Sequence, residues 1–223
     1  MGGVIGEILP LALGVAISPI PVIAAILMLL SPRAGSTSIG FLAGWVAGIV
    51  VAATAFTLLS ALLPESDSDA SKPVLGTIKL VLGALLILLA VREWRGRPRT
   101  DAEPALPKWM SAIDTLTPVK GLGLGFLLSA LNPKNLIMAA GAGIAIGSAS
   151  LGTGQVVVVL VIFTVIAAST VAVPVLAHLA AADRMAAPLE SLRGWLVHEN
   201  AVVMATLLLV IGVVMIGKGI GSF

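Results

Sequence analysis

The segment SALNPKNLIMAAG, residues 129–141, places a cation, two amides and a proline inside an apolar stretch long enough to cross a bilayer. Its polar side chains are Asn132, Lys134 and Asn135, with Pro133 between them. The ammonium can bind an anionic group, the amides can donate hydrogen bonds, and the proline leaves backbone carbonyls without their usual partners. Together these residues predict a substrate or coupling site.

The depth of Lys134 strengthens this prediction. Counting from Gly121 at about 1.5 Å per residue places Lys134 about 20 Å along its helix, near the middle of a hydrocarbon core about 30 Å thick. A lysine there costs about 2.5 to 3.5 kcal/mol on insertion scales, so it should face the protein interior. The alternative is a kinked helix whose polar side chains only cap broken backbone bonds. Capping alone does not require the cation.

A related motif, ISPIPVI, occurs earlier in the chain and contains Ser18, Pro19 and Pro21. When it is laid on LNPKNLI, Ser18 corresponds to Asn132 and Pro19 corresponds to Pro133. Broken helices at matching positions of two halves are typical of the central site of a transporter. The alternative for this copy is an ordinary proline kink, since it carries no charge.

The composition restricts the class of protein. Of 223 residues, 58% are hydrophobic and 11% are charged, and the mean hydropathy of +1.11 indicates an integral membrane protein. The absence of cysteine excludes disulfides and thiol relays, and two distant histidines argue against a metal site. We expect no cofactor, no nucleic-acid partner and no enzymatic activity, because the spans contain no catalytic constellation. The start of the chain resembles a first membrane helix, not a cleaved signal peptide.

The elements that position the two motifs are membrane helices, so the predicted fold is an all-α polytopic membrane protein. Apolar runs of about 20 residues predict six transmembrane helices in a single transmembrane domain, residues 1–223. The predicted spans are Val4–Leu30, Ser38–Leu63, Val74–Val91, Gly121–Ile146, Gln155–Leu179 and Ala201–Ile220. Residues 1–91 and 121–223 then form two inverted three-helix repeats, each with a broken first helix. Residues 92–120 form a basic cytoplasmic loop with an interfacial helix.

The distribution of lysine and arginine predicts the orientation, since cations are retained on the cytoplasmic side. Most of them follow spans one, three and five. Arg33 follows span one, Arg184 and Arg193 follow span five, and span three is followed by Arg92, Arg95, Arg97, Arg99, Lys108 and Lys120. Only Lys72 and Lys218 lie beside the opposite faces. Both termini are therefore predicted outside.

Other features have structural interpretations. Gly40, Gly44 and Gly48 form a strip for close helix packing, either within the bundle or in a homodimer. Glu7 is interpreted as a solvated acid at the outer interface, with proton coupling as the alternative, and Lys79 as an anchor that snorkels to the same interface. Two loop segments have an apolar face suited to the membrane interface, one with Trp109, Met110, Ile113 and Leu116 and the other with Leu189, Leu192, Trp195 and Leu196.

The Ser-Pro-x-Pro span, the segment GFLLSALNPKNLIMAAGAGIAIG and the basic central loop together resemble the GAP family, the glycopeptidolipid- and sulfolipid-addressing proteins of mycobacteria and related actinobacteria. That family is placed in the LysE transporter superfamily. The resemblance covers essentially the whole chain. It implies an inner-membrane protein that helps to export a cell-envelope glycolipid beside a larger exporter of the resistance-nodulation-division type. It also implies that the functional residues are Ser18, Pro19, Pro21, Asn132, Pro133, Lys134 and Asn135.

Three functions agree with these observations. The first is a transporter or flippase for an amphiphile with an anionic or polyhydroxylated head, held at a midplane site between the two broken helices. The second is a gradient-driven exporter of a small solute, such as an amino acid or an ion. The third is a non-transporting membrane scaffold of a lipid-export complex. A lipid carrier requires a lateral opening toward the bilayer, whereas a solute exporter requires a closed hydrophilic cavity.

Overall fold

The computed structural model describes residues 1–31, 34–60, 71–97, 113 and 116–223, and these residues are almost entirely helical. The helices are α1 (Gly2–Ala16), α2 (Pro19–Leu29), α3 (Ala34–Ser60), α4 (Ser71–Arg95), α5 (Pro118–Ala130), α6 (Pro133–Gly147), α7 (Thr153–Ala182) and α8 (Arg184–Ile220). Helices α7 and α8 follow one another directly, and Ala181 has a non-helical backbone at the kink between them. The all-α prediction is confirmed for this part of the chain.

Both predicted helix breaks are present. Helix α1 ends at Ala16, α2 begins at Pro19, and the two are bent by 51°. Helix α5 ends at Ala130, and α6 begins at Pro133. In each case proline is the first residue of the second helix, where its missing N–H and fixed φ are tolerated.

The described helices define a multi-pass membrane protein. Four of them are long and apolar enough to cross a bilayer: α3, residues Pro73–Arg95 of α4, α7 and α8. The bent pair α1 and α2 raises this to five if it counts as one span, and α5 is a shorter apolar helix. Residues 181–200, predicted as a loop with a short amphipathic helical segment before the last span, are helical apart from the kink. Most of the predicted loop 92–120 lies outside the described residues.

The glycine strip of α3 packs against α5 of the same chain. A Cβ atom at Gly40 or Gly44 would clash with the backbone of Pro118 or Leu122, and one at Gly48 would clash with Ser129. Contact within the bundle therefore accounts for the three glycines. A homodimer stays a prediction and would need a different surface.

Glu7 and Lys79, both predicted as interfacial side chains, form an ion pair with each other, and their position at the membrane interface stays a prediction. The Lys79 ammonium lies 3.2 Å from the Glu7 carboxylate, and the Lys218 ammonium lies 3.9 Å from the same oxygen. This ion cluster joins α1, α4 and α8. Each side chain is partly exposed. Its members are separated by more than seventy residues, so no local pattern of residues indicates the pairing.

The apolar face predicted around residue 192 is divided between two environments. Leu189 and Leu196 are buried in the core, whereas Leu192 and Trp195 remain 37% and 54% exposed. In the other predicted interfacial segment, Trp109 and Met110 lie outside the described residues. Ile113 is buried, and Leu116 packs against the core.

Candidate functional site

Lys134 is buried between the two broken helices. The side chain lies in the second residue of α6 and is only 5% exposed. Its ammonium donates a 2.6 Å hydrogen bond to the carbonyl oxygen of Gly14, and the carbonyl of Ile17 and the sulfur of Met204 lie at 3.5 and 4.0 Å. Among the residues that the structure describes, no carboxylate forms an ion pair with Lys134. The cation is held by backbone oxygens.

The break in α1 explains why these oxygens are available. In a continuous helix, Gly14 would accept from the N–H of Ser18 and Ile17 would accept from residue 21. The Ser18 N–H instead donates to Ala16 at 2.8 Å, and Pro21 has no N–H. Lys134 fills the two vacant positions. A cation also suits this location because the C-terminal end of a helix carries partial negative charge.

A second remote side chain stabilises the same break. The hydroxyl of Thr170, on α7, donates a hydrogen bond to the carbonyl oxygen of Ala16. The carbonyls at the end of α1 therefore accept hydrogen bonds from side chains that are 120 and 154 residues away in sequence.

The break between α5 and α6 is closed by residues adjacent to it. The side-chain oxygen of Asn132 accepts a 3.0 Å bond from the backbone N–H of Lys134, which caps the start of α6. The side-chain amide of Asn135 donates to the carbonyl of Leu128 at 3.2 Å. The oxygen of the same side chain, Oδ1 of Asn135, is buried without a hydrogen-bond partner among the described residues.

Ser18 occupies the position that corresponds to Asn132, but its side chain does not cap. The residue is extended, only 4% exposed, and makes no side-chain bond to the start of α2. Since Pro19 and Pro21 have no N–H, Ile20 alone supplies a backbone donor among the first three residues of α2. The Ser18 hydroxyl is thus not used by the helix that it precedes.

A polar cavity of about 200 Å³ adjoins Lys134. It lies between the start of α2, the start of α6, the end of α4 and the middle of α8, and its lining residues are Ser18, Pro19, Ile20, Leu89, Arg92, Glu93, Asn132, Pro133, Lys134, Asn200, Met204 and Leu208. Five of the seven predicted site residues thus lie at one cavity, whereas Pro21 and Asn135 do not line it. Arg92 and Lys134 outnumber Glu93, so the charged side chains of the lining favour an anion.

An apolar groove of about 420 Å³ lies on the other side of the α1–α2 break. Its walls come from α1, α2, α7 and the start of α8, and they are Ala16, Ile17, Ser18, Pro19, Val22, Ser169, Thr170, Val173, Pro174, Leu192, Trp195 and Leu196. Val173 is 63% exposed at this groove. Ser18 and Pro19 line both the groove and the polar cavity.

Sequence reasoning did not identify several residues of this region. Thr170 lies in an apolar span where a threonine bonded within its own helix is unremarkable, and Asn200 precedes the last predicted span. Arg92 and Glu93 were assigned to a loop, but they belong to α4. The side-chain oxygen of Asn200 is buried without a hydrogen-bond partner among the described residues, which only the three-dimensional arrangement reveals.

Fold and site together define a multi-pass helical membrane protein with a charged polar cavity between broken helices. The family of Sap, sulfolipid-1-addressing protein, matches residues 8–221, and the chain belongs to this family. The resemblance to lipid-addressing proteins is thereby confirmed, and membership implies a role in lipid-related export or addressing. No curated protein and no solved structure matches the chain.

Proposed function

We propose that this protein is a membrane transporter or flippase that helps to export a cell-envelope glycolipid, and that it is not an enzyme. The observation that carries the proposal is the buried Lys134 ammonium beside a polar cavity, held by carbonyls and not by a carboxylate. A buried cation is costly, and in membrane proteins such residues typically mark substrate or ion pathways. An anionic group entering the cavity would pair directly with the ammonium, since Glu93, the carboxylate in the cavity lining, forms no ion pair with it among the described residues.

The chemistry of the cavity indicates how a lipid head would bind. The ammonium has one short hydrogen bond, to Gly14, so a sulfate, phosphate or carboxylate can compete for its remaining protons. The Ser18 hydroxyl and the unpartnered oxygen of Asn200 offer hydrogen bonds to sugar hydroxyls. Asn132 and Asn135 act chiefly by fixing the position of Lys134, because their hydrogen bonds to the backbone close the α5–α6 break.

The proposed architecture is six spans arranged as two inverted repeats, as in the LysE superfamily. The course of α5 and α6 supports it. Gly40 of α3 faces Pro118, Gly48 faces Ser129, and Ser60 faces Gly147, so both helices follow α3 in one direction along its length. This is the behaviour of one broken span, not of a hairpin that returns to the same side.

We further propose that the protein resides in the inner membrane with both termini outside, and that it acts beside a larger lipid exporter. The cation count of the sequence supports this orientation. Movement of one part of the helix bundle against another at the proline breaks would expose the cavity alternately to the two sides.

The proposal predicts that Lys134→Met abolishes export of the envelope glycolipid while the protein remains folded in the membrane. The measurement is the surface-extractable lipid of a strain that lacks the protein, complemented with wild type or variant, together with the amount of protein in the membrane. Lys120→Met is the matched control, because Lys120 is exposed at the start of α5, away from the cavity. Normal export by a membrane-inserted Lys134→Met protein would refute the proposed site.

A further inference from the structure

We propose that the apolar groove beside Ser18 holds an acyl chain of the exported lipid while its anionic head occupies the Lys134 cavity. This inference rests on the proposed function and adds a second subsite to it. The lipid would cross the α1–α2 break at Ser18 and Pro19, the two residues that line both spaces.

The walls of the groove suit a hydrocarbon chain. Most are aliphatic, and Trp195 adds an aromatic surface. The polar side chains of its α7 wall are already bonded, because Thr170 donates to the carbonyl of Ala16 and Ser169 donates to the carbonyl of Ile166 at 2.8 Å. Hydroxyls that are satisfied within the protein leave a surface that behaves as apolar.

The cavity has the opposite character and lies on the other side of one short backbone segment. It contains charged and amide groups, and its oxygen at Asn200 has no partner among the described residues. A small polar solute would fill this cavity without needing the groove. A hydrocarbon alone would fill the groove without needing the cation. Only an amphiphile uses both, which is why we assign the groove to an acyl chain.

The groove also has the lateral opening that a lipid requires. Val173 and Trp195 are 63% and 54% exposed, so the groove opens at the outer surface of the helix bundle, where a multi-pass protein contacts lipid. An acyl chain can therefore enter sideways from the bilayer while its head reaches Lys134.

The inference can be tested by mapping where the chain of a bound lipid lies. The full-length protein is placed in phosphatidylcholine nanodiscs with a sulfated glycolipid that carries a photoactivatable diazirine in its acyl chain. A phosphatidylcholine with the same diazirine chain reports ordinary contact with surrounding lipid. We expect the sulfated probe to label the peptides around Val173 and Leu192 several-fold more than the phosphatidylcholine probe does.

Two variants separate this inference from the proposed function. Val173→Trp fills the groove and should abolish the enrichment, while binding of a sulfated disaccharide without acyl chains is unchanged in native mass spectrometry. Val158→Trp is the matched control, an exposed valine of the same helix that does not line the groove, and should keep the enrichment. Lys134→Met should lose both the disaccharide binding and the enrichment.

The possible failures differ. The acyl subsite is overturned if the two probes label equally, or if the enrichment survives Val173→Trp. The proposed function would still stand in that case, provided that disaccharide binding depends on Lys134. Disaccharide binding that is absent from the wild type, or unaffected by Lys134→Met, refutes the head site itself.

Discussion

The two proline breaks of this protein have similar sequences, but the hydrogen bonds that stabilise them come from different parts of the chain. At the α5–α6 break, Asn132 and Asn135 bond to backbone groups within seven residues. At the α1–α2 break, the equivalent position is Ser18, which makes no capping bond. The carbonyls of Gly14 and Ala16 accept hydrogen bonds from Lys134 and Thr170, which come from distant parts of the chain.

This difference assigns different roles to the two breaks. A break that is closed by its own neighbours can form before the rest of the bundle and keep its shape when other helices move. A break that depends on α6 and α7 is sensitive to any change in their position. The α1–α2 break is therefore the better place for a ligand to influence the conformation, because a ligand that engages Lys134 alters the bonds at the end of α1.

The largest stability effect in this comparison is expected for Asn132→Ala. It removes the cap of α6, and loss of such a cap costs about 1 kcal/mol of unfolding free energy. Unfolding in mixed micelles titrated with a denaturing detergent measures the change. Asn132→Ser should restore most of the stability, since serine caps about as well as asparagine. If Asn132→Ser were as unstable as Asn132→Ala, the local cap would not be the source of the effect.

A smaller effect is expected for Thr170→Val, which removes the remote donor to Ala16 while preserving the shape of the side chain. The Ser18 N–H still donates to the same carbonyl, so the loss should be about 0.6 kcal/mol, the average for such bonds between membrane helices. The same unfolding assay applies. Thr164→Val, on the same helix, serves as the control and should change stability less than Thr170→Val. Equal losses would show that the α1–α2 break does not depend on Thr170.

The smallest stability effect is expected for Ser18→Ala, within about 0.5 kcal/mol of wild type, because no capping bond is lost. Binding of the sulfated disaccharide should nevertheless weaken, since the Ser18 hydroxyl lines the polar cavity. The comparison of interest is with Asn132→Ala in the same unfolding assay. A stability loss as large as that of Asn132→Ala would mean that the two breaks are capped in the same way after all.

The sequence was sufficient to predict the broken helices, since each effect of proline is local. It also predicted that Lys134 is buried, because a charge inside an apolar span has few alternatives. The partners of Lys134 and Glu7 were not predictable in this way. They depend on which helices become neighbours, and hydropathy does not encode that information.

An amphipathic helical segment was predicted at the start of α8, but its continuity with the last span was not, for a different reason. The segment AADRMAAPLESLRGWLVHEN contains charges and a proline, which interrupt the hydropathy profile without preventing a helix. Its apolar side chains are divided between the core and the groove, so the segment packs as part of the helix bundle.

The glycine contacts restrict how this molecule can change shape. In addition to the α3–α5 contact, Gly83 of α4 meets Gly212 of α8, where a Cβ at Gly83 would lie 2.8 Å from the Gly212 carbonyl oxygen. Backbones that touch this closely cannot slide past each other without collision. We therefore expect α3 with α5, and α4 with α8, to move as two rigid helix pairs. The bend between α1 and α2 would serve as the hinge between them.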